Sequence, residues 1–261
     1  MFSWIFDIAT WKFAALVSGS FILFSWLGAI FVRPILRPML GGRGSLNDIV
    51  GYVLSIFGVF YGLLLGLLAV AAFQGYGTTQ GIVAKEASSL AALRRDVTAY
   101  PEPERQNLTW LLRDYTRYVI KQAWPLQQRG IVPQGGDVRM AAFQERLLRF
   151  EPKTPAEEIL HAETLRQFNA YYEARRMRIQ SVGTSIPATM WYVVFLGAIA
   201  NLVLVWLFDM SLLSHLFLGG ILAAFLGSMI FLIADMDNPF RGAVSLSAAP
   251  FEPILSDLME D

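Results

Sequence analysis

The 261-residue chain is expected to be an all-α membrane protein, with four transmembrane helices in two hairpins and a helical domain inserted between helices two and three. Three observations lead there. Apolar residues make up 55% of the chain and charged residues 16%, with a mean hydropathy of +0.46, which is not the composition of an ordinary soluble domain. Four stretches, residues 13–32, 49–73, 188–208 and 212–234, contain no Asp, Glu, Lys or Arg. A helix of about 20 residues, at about 1.5 Å each, covers roughly the 30 Å hydrocarbon core of a bilayer. The polar middle of the chain repeats its apolar residues at spacings of three and four and has no alternating strand pattern.

The elements follow in order. Phe2, Trp4, Ile5, Phe6, Ile8 and Trp11 suit a short helix lying in the membrane interface before the first span. A cleaved signal peptide fits less well, because the apolar run is too long and Arg33-Pro34 closes it. That helix and the first hairpin, spans 13–32 and 49–73, occupy residues 1–73. A helical domain over 74–187 follows, then the second hairpin within 188–242 and a tail over 243–261. Trp4, Trp11, Trp191 and Trp206 stand near span ends as interfacial anchors.

Four crossings put both termini and the insert on one side. Within about 20 residues of the spans that side carries Lys12, Lys85, Arg175, Arg176, Arg178 and Arg241, against Arg33, Arg37 and Arg43 on the other. The insert and termini are therefore expected to be cytoplasmic. Residues 74–187 hold 16 Lys+Arg and 12 Asp+Glu, and the remainder 5 and 9, so the zero net charge hides two opposite halves. The positive half would favour anionic lipid or draw anions to a mouth, or it is an ordinary solvated surface.

Within the insert, Gly75, Gly77 and Gly81 are expected to break the helix of span two, with helix resuming at Ile82. Leu108, Leu111, Leu112, Tyr115 and Val119 form one apolar face, started by Pro101 and Pro103 and ended by Trp124-Pro125. A loop through Gly130, Pro133, Gly135 and Gly136 precedes a short helix near 140–150. Residues 155–181 are helical again, with Ile159, Phe168, Tyr172 and Ile179 as buried candidates.

Several functions are excluded or weakly supported. The chain has no cysteine, which removes thiol catalysis, iron–sulfur clusters and Cys-ligated zinc. Zero net charge argues against nucleic acid as a partner. There is no GxGxxG and no P-loop, and the only histidines, His161 and His215, stand far apart. His161-Ala162-Glu163 resembles a ligand fragment but reads as solvated helix surface. No enzyme, cofactor or metal is expected. The partner in view is the bilayer.

Span two carries the sharper pattern. Gly58, Gly62 and Gly66 recur every four residues and let another helix approach closely. Tyr52, Ile56, Phe60 and Leu64 recur likewise on the roughly opposite face. In an oligomer ringed about that face they would form an apolar neck that gates by dewetting. Asn201, in the middle of span three, fits an interhelical hydrogen bond better than an ion site.

After span four comes Asp235-Met236-Asp237-Asn238-Pro239-Phe240-Arg241-Gly242. Physically this is a helix stop: Pro239 cannot continue a helix, Arg241 suits its negative end and Gly242 permits a turn, with docking of the insert as the alternative role. The motif Asp237, Asn238, Pro239, Phe240, Arg241, Gly242 resembles that of the bestrophin-like family of bacterial membrane proteins. So do Lys85-Glu86-Ala87 with Leu90 and Leu93, Tyr100-Pro101, Leu112-x-Asp114-Tyr115, Trp124-Pro125, and Val244-Ser245 leading to Pro250-Phe251. The family's pattern of a two-span hairpin, helical insert, second hairpin and this motif covers nearly the whole chain. The remoter likeness is to the bestrophins, pentameric anion channels. Asn238-Pro239-Phe240 resembles their signature after the last span, and Ser55 with Phe60-Tyr61 resembles their pore helix. The resemblance implies a homo-oligomer, a pentamer, in the bacterial inner membrane, passing small ions through a neck at Tyr52, Ile56 and Phe60. The acidic calcium clasp of animal bestrophins is absent after Phe240, where Arg241-Gly242-Ala243-Val244 stands. Two rival functions stay open: a membrane-anchored scaffold whose insert binds a cytoplasmic partner, and a stator-like energy-coupling protein. The second would need a partner helix with a proton-carrying Asp and hydroxyls facing it, and Ser18, Ser20, Ser25, Ser55 and Ser228 form no stripe.

Overall fold

The structure is a computed structural model that describes residues 10–39, 45–242 and 244–260. Among these there is no strand. The interfacial helix expected over the first ten residues, with its Trp4, and Arg43 lie outside the described residues. Among the described residues, four helices are long and apolar enough to cross a membrane: Trp11–Leu36, Asn47–Val97, Ala188–Trp206 and Leu212–Met236. The chain divides into two compact units, residues 1–75 with 185–237, and 76–184 with 238–261.

In the first unit, α1 (Thr10–Leu27) passes through a wide π turn at Gly28–Val32 into α2 (Arg33–Met39), so helix outruns the expected 13–32 span at both ends. α3 (Ser45–Val97) contributes its first 31 residues here, up to Gly75. α8 (Ala188–Trp206) and α9 (Leu212–Met236) form the second hairpin, with Ser211 capping α9 by accepting from the Ser214 N–H at 3.1 Å. The unit's buried side chains are Tyr61, Leu65, Leu68 and Ala72 from α3, Val194, Ala198 and Leu202 from α8, and Ala223, Leu226, Ile230 and Ile233 from α9. Asn201 is buried and donates to the Gly197 carbonyl one turn back, at 2.9 Å, rather than across to another helix. Trp206 is buried as well, its indole donating to the Ser25 carbonyl, so it packs inside the unit instead of standing as an interfacial anchor.

The second unit packs the rest of α3 against α4 (Glu104–Tyr118), α5 (Trp124–Gln127), α6 (Gly135–Leu148), α7 (Pro155–Ser181) and α10 (Glu252–Glu260). Residues 244–260, set apart in the sequence as a tail, supply Phe251, Ile254 and Leu258 to this core. Three expectations are corrected. Gly75, Gly77 and Gly81 do not interrupt α3, which runs unbroken for 53 residues. Each glycine costs about 1 kcal/mol of helix propensity. The buried stripe of Thr79, Val83, Ala87, Leu90, Leu93 and Val97 outweighs that cost. Trp124-Pro125 does not end the α4 segment. At the π turn Val119–Ala123 the Trp124 N–H already reaches back five residues to Val119 O, so a proline next to it breaks no regular ladder, and helix continues to Gln127. In α7, Phe168 is buried and Ile179 half-buried. Ile159 and Tyr172 face solvent, because the helix presents Thr164, Phe168, Tyr171, Ala174, Arg175 and Arg178 inward.

Candidate functional site

The face of α3 that sequence singles out is open within the chain. Tyr52, Ile56 and Phe60 are 72%, 62% and 69% exposed, while their neighbour Tyr61 is buried and donates from its hydroxyl to the Val194 carbonyl at 2.9 Å. Leu64 departs from the predicted set, being half-buried against the core of its unit. The reason is geometric: a strict four-residue spacing on a 3.6-residue helix drifts by about 40° per step, so a fourth residue comes round toward the packed side. Leu63 and Leu67, 60% and 71% exposed, continue the open face instead.

Among the described residues nothing lies within 4 Å of where a Cβ on Gly58, Gly62 or Gly66 would sit, so no described helix uses their flatness. The close approaches are made elsewhere. A Cβ on Gly197 would stand 2.4 Å from the Tyr61 ring, one on Gly28 1.8 Å from the Trp206 indole, and one on Gly227 2.6 Å from the backbone of Ser18. These glycines carry no periodic signal in the sequence, since each serves a single contact. About two turns after Ser18 on α1, Trp26 donates to the Leu216 carbonyl.

The motif after span four also resolves into parts. α9 stops at Met236 as expected, and Asp237, 9% exposed, accepts from the Ile186 N–H at 2.6 Å, holding the chain that leads into α8. Burial holds its carboxyl above the ordinary value, opposed by the hydrogen bonds from Ile186 and the Trp191 side chain. The Asn238 carbonyl accepts from Arg241 N–H and Pro239 O from Leu246 N–H, closing a turn in which Gly242 takes φ +81°. The Arg241 guanidinium donates to Arg129 O at 2.6 Å and lies where any Cβ on Gly130, itself at φ +74°, would be.

The other scattered motif pieces converge inside the second unit. Phe240 is buried against Trp124, ring centres 5.6 Å apart, and Phe251 packs on the same indole at 5.8 Å. The indole N–H donates to Leu246 O at 3.0 Å. Arg178 lies 5.3 Å from the centre of the Trp124 ring and is fully buried; it pairs with the fully buried Glu86 and with Gln127. Tyr115 packs edge-on to Tyr171 and accepts from Arg175. The Glu86–Arg178 pair spans 92 residues, and nothing local in the sequence announces it.

His161 sits apart from this core, 2.9 Å from the Tyr100 hydroxyl and edge-on to that ring, so it is packed rather than simply solvated, and burial lowers its pKa. The Arg166 guanidinium beside Glu163, helped by Gln167, holds that carboxylate down at about 2. His215 is buried at the start of α9, within hydrogen-bond distance of Ser211 O. Among the described residues, no group of three or more His, Asp or Glu is placed to hold a metal ion.

Comparisons with known proteins agree with this arrangement. The model of the Bestrophin-like domain matches residues 19–251. The crystal structure of a bacterial bestrophin homolog from Klebsiella pneumoniae superposes with a TM-score of 0.67 at 14% identity, over 92% of this chain and 96% of that one. A single-mutation form of that homolog gives 0.65 at 12% identity, over 92% and 98%. At such identities the likeness is one of fold. No curated protein sequence matches. With its four apolar helices and a family match over most of its length, the chain belongs to the Bestrophin-like family of membrane proteins.

Proposed function

We propose that the protein is an oligomeric ion channel of the bacterial inner membrane, five copies by family likeness, with both termini and residues 74–187 in the cytoplasm. The likeness to bestrophins favours anions. One observation carries the reading: among the described residues α3 packs one side into its own unit and leaves the opposite side, Tyr52, Ile56 and Phe60, largely exposed. The glycine stripe, roughly a quarter turn from the buried side, is likewise open. A helix ringed by copies of itself needs these three faces: one toward its own chain, a flat one toward the next copy and one toward the axis. Apolar rings about an axis gate by dewetting, and diffusive conduction needs no catalytic group.

The test has two stages. Light scattering of the solubilised complex, corrected for detergent, should give a ring of four or more copies; a monomer or dimer leaves α3 nothing to encircle. Reconstituted in liposomes, the complex should pass ions above empty vesicles, and Phe60→Ala should change flux or selectivity by widening the neck. Unchanged flux in that variant removes this face from the pore. A scaffold that binds a cytoplasmic partner would instead show no flux.

A further inference from the structure

The proposed channel leaves open what discriminates ion charge, and α3 beyond the membrane carries groups placed to do it. From Tyr76 to Val97 this helix bears five charged residues: Lys85, Glu86, Arg94, Arg95 and Asp96. The fold sorts them by sign. Glu86 is fully buried and paired with Arg178, and the Asp96 side chain is 11% exposed. Arg94 is drawn to Asp257 of α10. Lys85 is exposed with no ion pair or hydrogen bond among the described residues, and the Arg95 side chain is 78% exposed, its guanidinium 3.9 Å from Asp96. The outward surface of this stretch is therefore cationic, with no exposed carboxylate.

The helical repeat places these cations on the same face of α3 as Tyr52, Ile56 and Phe60. Lys85 follows Phe60 by 25 residues and Ile56 by 29, which is about seven and eight turns at 3.6 residues per turn, so it falls within about 20° of both on the helix wheel. Arg95 follows Tyr52 by 43 residues, about twelve turns. A stripe of buried and half-buried residues runs through both portions, at steps of three, four and seven residues from Val50, Phe57, Tyr61, Leu65, Leu68 and Ala72 to Thr79, Val83, Leu90, Leu93 and Val97, with the opposite side largely exposed. Resting on the channel reading above, we propose that Lys85, reinforced by Arg95, forms rings of positive charge about the axis of the assembled channel and sets its charge selectivity. The neck itself offers only uncharged side chains, which carry no sign with which to tell a cation from an anion. A ring of like charges in a confined mouth raises the local concentration of counter-ions, and rings of Lys or Arg favour anions.

The experiment measures reversal potential across bilayers holding the reconstituted full-length complex under a potassium chloride gradient. The wild type should favour chloride. Lys85→Glu should lower the chloride-to-potassium permeability ratio by about threefold or more at 0.1 M salt. The shift should shrink at 1 M, where the screening length falls from about 10 Å to about 3 Å. Lys85→Gln and Arg95→Gln should fall between, and Lys85→Arg should behave as wild type, which a merely structural lysine would not require. Conducting variants whose permeability ratio equals the wild-type value at 0.1 M overturn the ring while leaving the channel standing. Absence of conduction by an inserted, oligomeric wild-type protein overturns the channel reading and this inference together.

Discussion

The two portions of α3 make the most instructive comparison in the molecule. Both bury a stripe at three- and four-residue spacing, and both leave the other side open. Up to Phe73 the open side is Tyr52, Ile56, Phe60, Leu63, Leu67 and Val70; beyond it the open side is Gln74, Thr78, Gln80, Lys85, Ser88 and Arg95. The packing rule is the same in both, and only the solvent it is written against differs. Exposed residue type reports the surroundings, an apolar medium in one case and water in the other. Burial is most complete at the far end of the second portion, where Leu90, Leu93 and Val97 are all 0% exposed; Val83 and Ala87 keep 3% and 6%, as Leu65 and Leu68 do.

The largest expected effect strikes the water-facing portion. Glu86→Ala leaves Arg178 charged and uncompensated in the core, and breaking such a pair costs about 3–5 kcal/mol. The thermal midpoint should collapse or folded protein should be lost, while Glu86→Gln, which can still accept from Arg178, should be milder; equal behaviour of the two would show that charge pairing is not what holds the site. Next, Leu93→Ala should cost about 2–5 kcal/mol by opening a cavity. Leu63→Ala, on the open side of the other portion, should fall within about 0.5 kcal/mol for the single chain. A denaturation series on both variants checks this, and a large loss for Leu63→Ala confined to the oligomer would mark that side as an interface between copies.

The smallest effect concerns Asp237. A carboxyl whose pKa is raised on folding favours the folded state when protonated. Its contribution is full below the ordinary value of about 4 and is lost as pH rises through the raised value. Melting midpoints taken from pH 4 upward should fall across that window in the wild type, and Asp237→Asn should remove this part of the slope. An identical slope in the variant would assign the pH dependence to other groups.

Much of this was legible in the residues. Long uncharged runs disclose spans whatever their packing, and the start of α7 at Pro155 is announced by proline after a capping Thr154. Helix continuity through Gly75, Gly77 and Gly81 was not, because local propensity is weak beside a core that fills only when the rest of the chain folds. The same holds for the pairing of Glu86 with Arg178 and for Leu64, which a rule of constant spacing placed on the wrong side. Of the motif, the helix stop could be read from Pro239 and Gly242, but the hydrogen bonds from Ile186 to Asp237 and from Arg241 to Arg129 span 51 and 112 residues.

The two wide turns, Gly28–Val32 and Val119–Ala123, each behave as a one-residue insertion taken up where it occurs. The helix on either side keeps its facing, so Arg33 still donates to the Met210 carbonyl and Trp124 still meets Phe240. Such a site tolerates a change of chain length that a regular helix does not. Deleting an exposed residue of the first turn, Ile30 or Phe31, would convert it to ordinary α-helix with both flanks in place, whereas deleting one from regular helix between Phe21 and Trp26 would turn the flanks by about 100° relative to each other.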